Sequence, residues 1–169
     1  MLTHLRLLVR IQWIFLLLGE LNAACAQEES ITVNNTKIHI EKINPNTGQI
    51  NFSVKLKSNT EFSIIFSNNK TIENTANTIR LTFSDKGCSG EHQTSINYSE
   101  SDEYFISKYF EKKTPWNKDH VIAISWKDKT NFVFSQNDET ISIKSIKKAK
   151  YIQIITNSSI TLNNYSIIK

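Results

Sequence analysis

From Ile50 to Lys57 the chain reads INFSVKLK, with Ile50, Phe52, Val54 and Leu56 at every second position and polar residues between them. A strict period of two buries one side of an extended strand and wets the other, and a helix cannot use it. The pattern recurs in TIRLTF, where Ile79, Leu81 and Phe83 share a side, and in VIAISW, where Ile122, Ile124 and Trp126 do. In KIHIEKI it places Ile38 and Ile40 inward, Ile43 less regularly, and His39 outward. EFSIIFS, NFVFS, TISIK, YIQIIT and SITLNNYSII complete a set of about ten short strands, β-branched and aromatic as strands prefer. Turn signals separate them: NPNTGQ with Pro45 and Gly48, then KSNTE, KDKTN and QNDET. Short strands at such spacing predict an all-β fold, an antiparallel β-sandwich of jelly-roll type rather than an α/β fold. One segment departs from the pattern. SESDEYFISKYFEKKTPW starts acidic and ends basic before Pro115. Those charges suit a short helix near residues 101–113, and a strand followed by a loop fits equally.

The amino terminus bears on compartment. Arg6 and Arg10 are followed by the apolar run Ile11–Leu18, and Ala24 and Ala26 form an A-x-A site. That is the layout of a secretory signal peptide over residues 1–26, which leaves 27–169 as a single β-sandwich domain. Glu20 and Asn22 interrupt the apolar run before it reaches the about 20 residues a membrane span needs, and no second such run follows. Loss of two arginines and one glutamate lowers the formal net charge of +4 by one. So small a charge suits solubility and a weak preference for anionic surfaces, and it excludes the concentrated basicity of a nucleic-acid binder. Removal of Cys25 leaves Cys88 alone, which rules out an internal disulfide framework and leaves a disulfide-linked homodimer open. A cut after Ala24 would instead permit a Cys25–Cys88 bridge. Six N-glycosylation sequons begin at Asn34, Asn51, Asn69, Asn97, Asn157 and Asn164. Any that carry sugar must face water.

Most enzyme chemistries lack their parts. After residue 26 only Gly48, Gly87 and Gly90 remain, without a G-x-G turn, so a nucleotide cofactor held on a glycine-rich loop is not expected. No G-x-S-x-G elbow accompanies the three remaining histidines. His39 reads as a surface residue and His120 as part of a loop. The polar stretch SDKGCSGEHQ gathers Asp85, Cys88, Glu91 and His92. A Cys–His pair can form a nucleophile, and such donors can bind zinc, yet the set falls short of a zinc site, so no metal and no cofactor are expected. The stretch reads as a surface loop that, with Trp116 and the 112–120 segment, would offer ligand contacts. The run KSIKKAK, residues 144–150, could meet a heparin-like polysaccharide or anionic lipid. More commonly such a run keeps a strand edge solvated. Trp126 follows Ile122 and Ile124 into the core.

FSVKLKSNTEFSIIFS, VIAISWKDKTNFVFSQNDE and AKYIQIITNSSITLNNYSI together resemble the farnesoic acid O-methyltransferase-like domain of secreted arthropod proteins. Phe52 and Val54 match its F-x-V-x-A strand. Ile124, Ser125, Trp126 and Asp128 match its I-S-W-x-D hairpin, and Tyr165 its closing aromatic. The resemblance spans about residues 50–168. The chain departs from the family at SDKGCSGEHQTS, which lacks the family's G-G-W-x-N tryptophan, and at Lys129, Thr130 and Ser135, which replace hairpin glycines. The resemblance implies a β-sandwich binding module. The methyl transfer in its name needs S-adenosylmethionine and a base, and neither signature is present. The sequence therefore points to a secreted, non-catalytic recognition module for a carbohydrate, a sesquiterpenoid-like lipid or a protein. The alternatives are a methyltransferase, a Cys88/His92 hydrolase, or a structural protein assembled through Cys88.

Overall fold

The structure, a computed structural model, describes residues 29–35, 39–71, 78–85, 89–100 and 104–168. The described residues form thirteen strands. Six form one sheet, here sheet I: β1 (Glu29–Val33), β13 (Ile160–Ile168), β3 (Thr47–Lys55), β9 (Asp119–Lys127), β10 (Asn131–Gln136) and β11 (Glu139–Lys144), in that spatial order. Sheet II runs β2 (His39–Lys42), β12 (Tyr151–Thr156), β4 (Phe62–Ser67), β5 (Ile79–Asp85), β6 (Glu91–Ser99) and β7 (Phe105–Tyr109). The two-residue β8 (Thr114–Pro115) pairs with β6. Every recorded pairing is antiparallel.

The period-two residues fill the space between the sheets. Ile50, Val54, Leu56, Phe83, Ile124 and Phe134 are fully buried. Phe66 meets Trp126, Phe132 and Phe134 edge-on, with ring centroids 5.4–6.2 Å apart. This geometry favours the quadrupoles of aromatic rings. Trp126 enters the core as its alternation requires, and its Nε1–H donates to the carbonyl of Asn44 at 2.7 Å. Its ring lies across β3 at Gly48, its register partner, where an added Cβ would stand 2.2 Å from Cζ2. A residue with a side chain does not fit there.

Two local expectations fail, and one open alternative is resolved. Residues 105–109 form β7, not a helix, while 101–103 lie outside the described residues. The exposed edge of β6 needs a hydrogen-bonding partner, and Phe105–Tyr109 supply it opposite Ser99–Ser95. Tertiary pairing overrides the helical charge pattern. β2 turns the other way round from its reading: Ile40 is 40% exposed, whereas His39 and Glu41 point at sheet I. The Tyr165 hydroxyl of β13 donates to Glu41 at 2.7 Å, and His39 meets the same ring edge-on. An aromatic hydroxyl buried between the sheets needs an acceptor, and that need sets the strand's register. Ile38 lies outside the described residues. Finally, His120 belongs to β9 rather than a loop and is fully buried.

Candidate functional site

Ser84, Asp85, Glu91, His92 and Gln93 of the SDKGCSGEHQ stretch are strand residues. β5 runs on to Asp85 and β6 begins at Glu91, and Cys88 lies outside the described residues. The structure does bring the other singled-out residues to one end of sheet II. Asp85 stands opposite His92, Glu91 opposite Pro115, and the Trp116 backbone N–H donates to Gly90 at 2.9 Å. They do not make a surface cleft. Parity along β6 sends His92 inward with Thr94 and Ile96 and leaves it fully buried, while Glu91 faces out, 3.9 Å from Lys113. Asp85 accepts the backbone N–H of Asn59.

Inside, His92 meets His120 edge-on at 5.7 Å between centroids, and His120 meets Phe83 the same way at 5.2 Å. Among the described residues, neither ring finds a well-formed hydrogen-bond partner. Nearby, Gln136 donates to the Thr114 hydroxyl at 3.1 Å. Burial, and then the neighbouring His92, lower the pKa of His120 to about 4. Burial also lowers that of His92, with Asp85 and the backbone of Thr60 and Lys57 pulling the other way. At neutral pH both rings are uncharged filling in the polar end of the core. Neither reaches solvent to act as a base. Among the described residues, no three of His, Cys, Asp and Glu gather as a metal site.

One polar surface open to a ligand is the outer face of β5, β6 and β7, built from the half of the alternation that the core leaves over. Arg80, Thr82 and Ser84 point outward from β5, Gln93, Ser95 and Asn97 from β6, and Phe105, Ser107 and Tyr109 from β7. Cross-strand register aligns Arg80, Asn97 and Ser107 in one row. Ser107 Oγ donates to Asn97 Oδ1 at 2.7 Å, and Gln93 Nε2 to the Phe110 carbonyl at 2.7 Å. These bonds fix the donor and acceptor directions of the face. At its free edge Phe105 is 50% and Tyr109 57% exposed, which leaves each ring open to a group that stacks on it. Nε of Arg80 is buried without a hydrogen-bond partner, and the guanidinium makes no ion pair among the described residues.

The six sequon asparagines are all exposed or half-exposed. Asn51 and Asn164 share the outer face of sheet I, where they line one groove of about 470 Å³ with Val121 and Ala123. Asn97 lies in the middle of the polar face of sheet II.

No family model matches the chain, and no curated protein does. Solved structures match by shape. Sheep galectin-11 in complex with glycerol superposes with a TM-score of 0.53 at 10% identity, covering 80% of this chain and 98% of that one. An alginate lyase from Pseudomonas aeruginosa gives 0.54 at 7% identity, covering 73% of this chain and 64% of the lyase. A single mutant of congerin II gives 0.51 at 14%, with 82% and 99% covered. At such identities the likeness establishes the fold: an antiparallel β-sandwich of the kind these proteins share. The resemblance to the farnesoic acid O-methyltransferase-like domain rests on its short motifs, and the sandwich is the part of it that the structure carries.

Proposed function

We propose that the chain is a secreted, glycosylated recognition module that binds a saccharide on the outer face of β5, β6 and β7. The observation that carries this reading is the row Arg80–Asn97–Ser107 beside the half-exposed ring of Tyr109. Sugars present hydroxyls at their rims and C–H groups on their faces. A sheet with fixed amide and hydroxyl groups flanked by an open aromatic ring answers both. That a galectin and an alginate lyase share this sandwich supports a saccharide over a sesquiterpenoid. An apolar lipid would want an enclosed greasy pocket, whereas this face is open and polar. A hydrolase built on Cys88 and His92 would need His92 at the surface, and its ring is fully buried.

The signal peptide and the sequons are the grounds for secretion and glycosylation. A binding face must itself stay bare, so the reading requires Asn97 to remain unmodified in the secreted protein. Peptide mass spectrometry checks this, and a glycan on Asn97 would contradict the site. The binding reading is tested by a saccharide panel against the wild type and the Tyr109→Ala and Asn97→Ala variants. Saccharide binding weakened about tenfold or more by each change is expected, on the scale of one lost stacking or hydrogen-bond contact. Binding unaffected by both would contradict the assignment. Incubation with labelled S-adenosylmethionine and farnesoic acid tests the methyltransferase alternative, and methyl transfer would displace the proposal. Identical gel migration with and without reductant would remove the Cys88-linked assembly.

A further inference from the structure

The charges on the outer face of sheet II are one-sided. Parity and register put Lys42 of β2 beside Tyr151 of β12, and the Lys70 ammonium lies 5.9 Å from the centroid of that same ring. Arg80 stands three strands along from β2, a distance of about 14 Å at the usual strand spacing. The only carboxylate at a described outward position on these strands is Glu91, at the far end of β6 and already close to Lys113. Glu100 follows β6, and its backbone N–H donates to the Tyr104 carbonyl.

The basic run 144–150 adds to this. Only Lys144 lies in a strand; the rest is the crossing from β11 to β12. The backbone N–H of Ile146 donates to Ser99 at 3.3 Å, and that of Lys150 to Ser67 at 2.8 Å. The crossing therefore runs along the end of sheet II where Lys42 and Lys70 stand, with Lys148 and Lys150 exposed. The run lines the rim of this face, while Lys144 itself stands on β11, an edge strand of sheet I.

On the reading that this face binds saccharide, we propose that the ligand is an anionic polysaccharide, bearing uronate or sulfate groups, laid across the strands from Lys42 and Lys70 to Arg80. A partly desolvated guanidinium that pairs with no carboxylate among the described residues favours an anion with which it can make paired hydrogen bonds. Flanking lysines add point charges that are spread too widely for a monosaccharide to reach. Tyr151 and Tyr109 supply rings at either side for the sugar faces. The small net charge of the whole chain hides this feature: among the described residues, the outward strand positions of sheet II hold Lys42, Arg80 and one carboxylate, Glu91.

Affinity for heparin (sulfate and carboxylate), alginate (carboxylate only) and neutral dextran and galactan distinguishes the outcomes. The wild type should bind one or both anionic polymers in preference to the neutral ones, with affinity falling as salt rises. The triple variant K42Q/K70Q/R80Q should bind at least about tenfold more weakly, since each lost charged contact is worth that order. The control K118Q/K127Q/K129Q removes the same charge elsewhere and should bind as the wild type does. Melting curves confirm that both variants fold. Equal loss in the control would overturn the proposal by showing diffuse attraction. Tighter binding to neutral galactan, untouched by the triple variant, would overturn it while leaving saccharide recognition standing. Binding to none of the saccharides would remove both readings. Stronger retention on phosphatidylserine vesicles or single-stranded DNA than on either polysaccharide would also overturn it.

Discussion

Gly48 shows how one residue serves the core. Its missing side chain leaves the space into which the Trp126 ring lies, with an added Cβ 2.2 Å from Cζ2. Gly48→Ala should destabilise the domain by about 2 kcal/mol, the usual cost of overpacking a filled interior. Urea unfolding would check it, and an unchanged midpoint would show that the tryptophan can move aside. Gly48 was visible in the sequence as a turn residue, but its packing role was not, because Trp126 meets it through a pairing distant in sequence. Arg80 and Asn97 are similar. Each is an ordinary polar residue on the wet side of a strand, and only the order β5–β6–β7 places them in one row. The alternation that revealed the core also contained this face, on the positions that the core does not claim.

At the scale of elements, the hairpins were legible and their strain was not. Asp128 and Lys129 in the β9–β10 turn have φ of 56° and 68°. A left-handed backbone costs a residue with a side chain about 1 kcal/mol relative to glycine. Lys129→Gly should therefore raise stability by up to about 1 kcal/mol, read as a melting temperature higher by about 2–4 °C. A lower melting temperature would show that the Lys129 side chain contributes more than its backbone costs. β7 was ambiguous in sequence because acidic and basic ends suit a helix, while the missing partner of β6 is a property of the sheet. Similarly, the register of β2 follows from Tyr165, which reaches Glu41 across the sandwich.

The whole molecule depends on pH through the two buried imidazoles. In the unfolded chain histidine titrates near its ordinary 6.5, whereas burial holds His120 at about 4 and lowers His92. Between those values the unfolded state takes up protons that the folded state refuses, so stability falls as pH drops. The stability is complete above about pH 6.5 and declines toward pH 4, by about 3 kcal/mol for His120 alone. Below that its contribution is flat. Asp85, the carboxylate facing His92, moderates the effect. His120→Phe should flatten the profile between pH 6.5 and 4, provided that unfolding at neutral pH confirms a folded variant. An equally steep profile in that variant would assign the acid sensitivity to other groups.

The central claim is that the outer face of β5, β6 and β7 meets a saccharide. Titrating isotope-labelled protein with alginate oligomers and following backbone amide shifts tests it most directly. Shifts should concentrate at Arg80, Asn97, Ser107 and Tyr109 and continue across the same face to Lys42, Lys70 and Tyr151. Shifts confined to the outer face of sheet I, around Asn51, Val121 and Asn164, would contradict it.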